Sequence, residues 1–401
     1  MQKRNFQEQK GYGMNQEISE TFGVFRAQIR QFVEKELEPI ALEVERNSEI
    51  PEKIVDRFRA LGLFGMPIPR EYGGLGLSTR EEIMIYEEIT RTNACFRSRI
   101  GTSNGIGSMG ILYDGTVEQK RRYLPRIASG EWTAAFALTE PDAGSDAANI
   151  RTSAAADGEG WVLNGTKQFI TNADTAQVFT VIAVTDEIKR ARGGVTAFVV
   201  EKGTPGLRVG PADLKMGLKG SHTHEVVFSN CRIPRENVIG GEPMVGKGFR
   251  TAMRVLDKGR MSMGACALGA SQKILELCIT WFHRRMDQGA NPDELQAAQF
   301  TLADMATEIH AARQMLYHAA SLRDWGKNVT HEASMIKVFC TEMASRIAGN
   351  AMDILGPDGM LTRNRIETFL RDVRLYRIYE GTSEIQRLII SRNLLDRGKN
   401  E

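Results

Sequence analysis

The spacing of apolar residues changes twice along this chain, and that double change restricts the fold class more than any other feature. Up to about residue 130 the period is helical. Val24, Phe25, Ile29, Phe32, Val33, Leu37 and Ile40 share one stripe, and Ile54, Val55, Phe58 and Leu61 form another that stops at Gly62. Pro39 lacks the N–H that a helix interior needs and is expected to kink or shorten the first of these. The turn cluster PREYGGLGLS precedes a third helix carrying Ile83, Met84, Tyr86 and Ile89. From Trp132 to about Phe249 short runs rich in β-branched and aromatic residues alternate with Gly, Asp and Asn turns. WTAAFALT, WVLNGTKQFIT, VFTVIAV, VTAFVVEK, GLRVGPADL and HEVVFSNCRI read as strands, spaced too closely for intervening helices. The helical period then returns over 249–286, 295–325 and 331–355, with a last helix after Gly381. The chain has 401 residues, enough for more than one domain. The expected class is α+β multidomain: an N-terminal helical domain (14–134), a central antiparallel β-domain (135–250) and a C-terminal four-helix bundle (251–401).

Several function classes drop out. The formal net charge is +2, which gives no basic excess for nucleic acid. Apolar runs fall far short of a bilayer span, so no membrane insertion is expected. The start, MQKRNFQEQKGYGMNQ, has no apolar core of a secretory signal and lacks the Ser/Arg richness of a transit peptide. Met14 reads as a natural start preceded by a disordered extension. The five cysteines are scattered without a C-x-x-C pair, which suits free thiols in a reducing, cytoplasmic setting. No G-x-G-x-x-G follows a first strand, so a nicotinamide-type Rossmann site is not expected. His222 and His224 have strand spacing that puts them on one face, but no third ligand is evident and no metal site is expected.

Four segments could carry chemistry. In RIYEGTSEIQR (377–387), Ser383 followed by Gln386 fits a capping box, which places Glu380 on a loop just ahead of a helix. Free N–H donors there, beside a carboxylate, would suit proton abstraction next to a carbonyl. On local pattern alone, a glutamate that only favours the helix dipole is the plainer reading. FALTEPDAGSDAANI (136–150) is a strand running into a loop whose donors suit a flat heteroaromatic ring or a phosphate, or an ordinary β-turn. In KQFITNAD (167–174), Phe169 and Thr171 alternate and could face one cleft, or Phe169 could be a packed strand aromatic. In LDKGR (256–260), Asp257 and Arg260 share a helix face, as a site pair or as an intrahelical ion pair.

Taken in order, these and further segments resemble the acyl-CoA dehydrogenase family. The match covers about 17–397 and rests on EYGGLG (71–76), FALTEPDAGSD (136–146), LNGTKQFITN (163–172), KMGLKGSHTHEVVF (215–228), IPRENVIG (233–240), LDKGRMSMGACALG (256–269) and RDVRLYRIYEGTSEIQRLIISR (371–392). The resemblance implies a flavoprotein oxidoreductase that removes hydrogens from Cα and Cβ of an acyl-CoA thioester, the β-hydrogen leaving as hydride to flavin N5. The commonest base in that family is the glutamate of Y-E-G-T, here Glu380, with its backbone N–H, next to Gly381, holding the thioester oxygen. Some members place the base on the long helix, one residue before the arginine of the LDKGR-like stretch. That position is Gly259 here, which cannot act as a base. The resemblance further implies FAD between Phe136, Leu138, Thr139, Gly144 and Ser145 on one side and Phe169 and Thr171 on the other, with Thr382 approaching from the last loop. Ser145, Asp257 and Arg260 match positions that approach CoA or shape the site.

Two departures from the family pattern stand out. Relatives carry R-x-x-F-G where an arginine and a phenylalanine reach the FAD of a neighbouring subunit; this chain has Arg285 but Gln288 in place of the aromatic. The loop that follows Asp353 and starts at Gly356 reads GPDG where relatives have Gly-Gly-x-Gly, so Pro357 removes a donor from the loop expected near the adenine end of FAD. NACFRSRIGTSNGIG (93–107) resembles glutaryl-CoA dehydrogenases, in which an arginine matching Arg97 pairs with a distal substrate carboxylate. The alternative is an Arg97 that caps a helix end and points to solvent. The resemblance also implies a homotetramer and an electron acceptor such as electron-transferring flavoprotein. Remaining alternatives are a same-fold acyl-CoA reductase, a flavin oxidase or monooxygenase, or a flavin-free helical scaffold.

Overall fold

Ser19 opens the first helix, its Oγ accepting from the N–H of Phe22, one of the donors a helix start leaves free. The computed structural model describes residues 19–397, so the proposed start at Met14 and the segment before it lie outside the described residues. Helix α1 (Glu20–Phe32) does not break at Pro39. It widens into a π turn over Val33–Leu37, tightens into a 3-10 turn over Glu38–Ile40 and resumes as α2 (Ala41–Asn47). The N–H of Glu38 reaches back five residues to the carbonyl of Val33. Proline removes a donor and presses on the carbonyl four residues back, and the widened turn relieves that pressure without ending the helix. Helices α3 (Glu52–Ala60), α4 (Thr79–Ile89), α5 (Cys95–Asn104), α6 (Met109–Asp114) and α7 (Val117–Ala128) follow. Reciprocal capping boxes, Ser78 with Glu81 and Thr116 with Gln119, start α4 and α7.

Seven strands form the middle: β1 (Thr133–Ala137), β2 (Ser153–Ala156), β3 (Gly160–Thr171), β4 (Ala176–Val184), β5 (Val195–Glu201), β6 (Leu207–Ala212) and β7 (Thr223–Pro234). Their sheet is mixed, where the sequence suggested a wholly antiparallel one. Strand β1 runs parallel to β4, with Ala134 opposite Val178 and Phe136 opposite Thr180. Strand β2 meets β4 in parallel at Ser153 and Val184, while the other pairs are antiparallel. The loop after β1 and the β2–β3 hairpin together are long enough to return the chain in the same direction, and close strand spacing alone does not reveal this. Strand β1 is buried on both faces, and β4 almost so, which is why they read as continuous apolar runs. Alternate residues serve two cores. Ala134, Phe136, Val178 and Ile182 pack with Ile111, Leu124 and Ile127 from the helices. Ala135, Ala137, Phe179 and Val181 pack with Leu163, Phe198, Val226 and Phe228.

The chain ends in α8 (Gly248–Asp287), α9 (Gln296–Asp324), α10 (Thr330–Leu355), α11 (Ile366–Tyr376) and α12 (Ser383–Arg397). Sequence spacing missed α11. It starts from Arg365 in a left-handed conformation with no capping side chain, so the usual start signal is missing. Helices from the two ends of the chain share one apolar cluster, in which Tyr86, Phe96 and Ile100 pack with Met261, Ile336, Cys340 and Tyr376. Each large side chain buried there contributes about 1.5–3 kcal/mol. This packing brings α5, α8, α10 and the α11–α12 loop together. All five cysteines are free and buried. Among the described residues, no helix is long and apolar enough to cross a membrane.

Candidate active site

Glu380 lies on the loop between α11 and α12 and takes a left-handed backbone conformation, φ +58°. Such a backbone costs a non-glycine residue about 1–3 kcal/mol and persists only where its surroundings impose it. They do so through Gln386, a buried residue whose Nε2 donates to the carbonyls of both Glu380 and Gly381 at 3.2 Å. Gly381 has φ +87°, and a Cβ there would run into the Gln386 amide. Helix α12 is capped by Thr382, whose Oγ1 accepts from the N–H of Ile385 at 3.3 Å. The expected Ser383–Gln386 capping box does not form, because the left-handed turn brings earlier carbonyls within reach of Gln386. The N–H of Glu380 has no acceptor among the described residues.

Part of Glu380 remains open to solvent, yet its Oε2 is buried and has no hydrogen-bond partner. This carboxylate fills the space beside Gly259. A Cβ on Gly259 would lie 2.6 Å from the Glu380 Cδ, 2.9 Å from Oε1 and closer still to Oε2. The two positions at which the resemblance would place a base thus meet at one spot. Burial pushes the Glu380 carboxyl above the usual carboxylate value, against the pull of Arg97, Arg260 and Lys337.

These three cations are buried around the site. Arg97, near the start of α5, stacks over Tyr86 with its guanidinium carbon 4.7 Å from the ring centre and donates to Ser262 Oγ, leaving Nε unpartnered. It does not cap a helix end and point to solvent. Burial works against its charge, and Cys266, Tyr86, Tyr379 and Glu380 more than offset this. Arg260 donates to Asp257 at 2.5 Å, and Thr330 Oγ1 donates to the other Asp257 oxygen at 2.8 Å. The α8 pair is therefore a largely buried one, with the Arg260 Nε unpartnered. Lys337 is fully buried on α10 and its Nζ has no partner. Burial lowers its ammonium to about 8, while Glu380 and Glu384 act to raise it. Sequence reasoning overlooked Lys337. Its signal was a lysine on the apolar stripe Ala333, Cys340, Ala344.

The segments expected to hold a flavin lie side by side. The Thr139 carbonyl accepts from the N–H of Gln168 at 2.8 Å, which joins the loop after β1 to the end of β3. Phe136 and Leu138 are buried, Thr139 and Thr171 half-buried, and Gly144 and Ser145 exposed, with open space around Gly144. Pairing of β3 with β7 slips between Lys167 and Ile170, and within that slip Phe169 takes φ +58°. Phe169 is 57% exposed, so it is not the packed strand aromatic of the plainer reading. An exposed aromatic on a strained backbone, one residue from the bond to the loop after β1, fits a flat heteroaromatic group such as FAD.

Below this wall the fully buried Lys167 donates to Glu140 Oε1 at 2.8 Å and to the Leu138 carbonyl at 2.9 Å. Glu140 also accepts from the N–H groups of Arg151 and Thr152. Lys167→Met leaves a buried carboxylate without its cation, and the expected loss is about 3–5 kcal/mol. Urea unfolding checks this as a lower midpoint at unchanged slope; a midpoint like the wild type's rules it out.

Other expected residues stay apart. Arg285 and Gln288 are exposed at the far end of α8, Arg285 about 39 Å along the helix from Gly259 at 1.5 Å per residue and Gln288 just beyond it. Asp353 is exposed and Gly356 half-buried at the end of α10, where GPDG forms a 3-10 turn over Gly356–Met360. Within one chain none of these four reaches the Glu380 loop. Ser145 makes no hydrogen bond to that loop among the described residues.

Three domain models match in chain order: acyl-CoA dehydrogenase N-terminal domain over residues 19–131, middle domain over 135–231 and C-terminal domain over 246–395. An acyl-CoA dehydrogenase of Bacillus subtilis (strain 168) is 41% identical over 372 residues, covering 93% of this chain and 97% of that protein. Acryloyl-CoA reductase (NADH) of Anaerotignum propionicum is 40% identical over 371 residues, 92% of this chain and 93% of its own. The solved butyryl-CoA dehydrogenase of Megasphaera elsdenii superposes with a TM-score of 0.90 at 33% identity, covering 95% of this chain and 100% of that one. Together with the glutamate loop and the helix–sheet–helix order, these matches place the chain in the acyl-CoA dehydrogenase family, whose general reaction is FAD-dependent dehydrogenation.

Proposed function

We propose that this protein oxidises an acyl-CoA thioester to the 2-enoyl-CoA with Glu380 as the base. The observation that carries this reading is the Glu380 carboxylate itself: buried at Oε2, unpartnered, held on a left-handed backbone and fitted against Gly259. A glutamate that only complemented a helix dipole would need none of these features. Glu380 takes the α-proton, and its own free N–H meets the charge that develops on the thioester oxygen. Bound FAD supplies the acceptor for the β-hydrogen. Phe136, Leu138, Thr139, Gly144 and Ser145 would hold it on one side, Phe169 and Thr171 on the other, and Thr382 from the last loop. Asp257 ties Arg260 to α8 and to Thr330, which fixes one cation beside the base. The test is anaerobic bleaching of the purified yellow protein by straight, branched and dicarboxylic acyl-CoAs. A colourless protein that takes up no FAD sinks the reading.

The similarity to an acryloyl-CoA reductase bears on direction. In that sense Glu380 would return a proton to Cα, and its raised pKa suits an acid as well as a base. NADH consumption with acryloyl-CoA, set against bleaching by butyryl-CoA, separates the two. Electron-transferring flavoprotein is the proposed acceptor for the oxidative direction. A homotetramer is proposed as well: Leu388, Leu394 and Leu395 are exposed on α12, and Arg285, Gln288, Asp353 and Gly356 lie where only another subunit could use them for FAD.

Arg97 is the proposed anchor for an anionic acyl end, supported by its burial beside Glu380 and its unpartnered Nε. Arg97→Ala should lower kcat/KM for glutaryl-CoA about tenfold to a hundredfold more than for butyryl-CoA, the scale of a lost hydrogen bond to a charged group. Equal losses for both would assign Arg97 to tuning Glu380 alone.

Lys337 favours the Glu380 anion. Glu380 has a raised pKa, so the acid limb of kcat/KM should lie above the ordinary carboxylate range, with activity rising as the proton leaves. In Lys337→Met that limb should move to higher pH. A limb that stays put or moves down contradicts the arrangement.

A further inference from the structure

His222 and His224, which the sequence left without a third ligand, meet one in the fold. Asp174 lies in the turn between β3 and β4, and its two oxygens face the two imidazoles. Oδ2 is 2.9 Å from His222 Nδ1 and Oδ1 is 3.5 Å from His224 Nε2. The three ligand atoms all lie within 4.8 Å of one another.

The outer ring nitrogens decide the tautomers. His222 Nε2 is 2.8 Å from the Ser48 carbonyl and His224 Nδ1 is 2.9 Å from the Gly210 carbonyl. A carbonyl only accepts, so both outer nitrogens carry protons. An imidazole that carries only that outer proton aims a lone pair at the carboxylate. That leaves three electron-rich groups pointing at one another, and a positive species has to sit among them. An outer N–H on a backbone carbonyl is also how ligating histidines are held in orientation.

Two extra protons or one divalent cation could supply the charge. The 2.9 Å between His222 and Asp174 is a hydrogen-bond distance, and it is the His224 side of the cluster that points to a cation. The 3.5 Å between His224 and Asp174 is long for a charge-assisted hydrogen bond. It matches the roughly 3.4 Å between two ligands on a tetrahedral ion with bonds of about 2.1 Å. His224 Nε2 is also a buried atom with no hydrogen-bond partner. Asp174 and His222 side chains are 32% and 35% exposed, which leaves an entry path and room for water as a further ligand.

We propose that Asp174, His222 and His224 bind a divalent transition-metal ion, with zinc the best match to a two-imidazole, one-carboxylate set. The ion would pin the β3–β4 turn to β7 and, through the histidines' carbonyl partners, to the end of α2 and to β6. That turn begins directly after Phe169 and Thr171, so the role is structural support of the flavin wall.

The test uses the chelator-treated holoenzyme with zinc chloride, and elemental analysis after gel filtration. The expected result is one zinc per chain, with a higher midpoint of thermal unfolding. Asp174→Asn and His224→Ala should each weaken binding by more than about a hundredfold, beyond the loss typical of removing an outer-sphere partner. Cobalt(II) offers a readout that needs no variant: nitrogen–oxygen ligation at low symmetry gives visible bands at wavelengths beyond the flavin absorption. Wild-type protein that takes up neither ion, or variants that bind zinc as tightly as wild type, would overturn the proposal and leave the cluster as two imidazolium–carboxylate pairs.

Discussion

Glu380→Gln should give a yellow protein that has lost more than a hundredfold in turnover of its best acyl-CoA, within the roughly 10²–10⁴ range for removing a general base. Glutamine keeps the shape of the side chain and can sit in the same space beside Gly259. The loop should survive, because Gln386 holds it through the backbone carbonyls of residues 380 and 381 and does not touch the carboxylate. FAD content and thermal midpoint should therefore stay near wild type while anaerobic bleaching slows. Burial of Oε2 without a partner adds a second expectation. An amide does not ionise, so the raised-pKa carboxyl is gone and the residual rate should lose its acid limb. Near-normal bleaching in this variant removes Glu380 from the mechanism.

Gly259→Ala should cost nearly as much activity at almost no cost in stability. The new methyl group would overlap the Glu380 carboxylate, lying 2.6 Å from Cδ. Among nearby atoms the closest belong to the end of a flexible side chain, so the fold can yield by moving the glutamate. Alanine also suits the middle of α8 better than glycine does, by about 1 kcal/mol. The midpoint of unfolding should thus be unchanged or slightly higher. A base displaced by about 1 Å can lose on the order of a hundredfold in rate. The measurement is kcat beside thermal unfolding on the same preparation. Full activity in Gly259→Ala would mean that Glu380 does not work from the position seen here. A large fall in stability would mean that the helix, and not the carboxylate, absorbs the clash.

Much of this was legible in the sequence, for identifiable reasons. Helical and strand periods are local, so α8, α9, α10 and the β-rich middle stood out from spacing alone. The direction of β1 relative to β4 depends on where a long connection returns, which no local pattern records. Helix α11 was lost for want of a capping residue at Arg365. Glu380 was visible as a loop carboxylate, but its backbone conformation and its place against Gly259 need two segments about 120 residues apart to be brought together. Lys337 was overlooked because its neighbours on the stripe are apolar. Arg97 could be placed on a helix but not aimed; only packing against Tyr86 and Ser262 shows which way it points. Asp174 was part of a quoted segment, yet its meeting with His222 and His224 depends on the β3–β7 pairing.

A flavin-free scaffold is disfavoured by the same particulars. A scaffold would have no reason to turn Phe169 outward on a left-handed backbone or to leave the Glu380 Oε2 buried and unpaired. Gln288 and Pro357, the two departures from the family pattern, sit at the ends of α8 and α10, away from the Glu380 loop. In the proposed tetramer they would bear on FAD contacts between subunits and not on the base.

Proton abstraction can be observed apart from hydride transfer. A 3-thia acyl-CoA has sulfur at the β-position and no β-hydrogen to give up, so only its α-hydrogens can react. With that analogue deuterated at Cα, wild-type holoenzyme should wash the label into water, and Glu380→Gln should do so more than about a hundredfold more slowly while retaining its FAD. Equal washout from the two proteins would contradict Glu380 as the base.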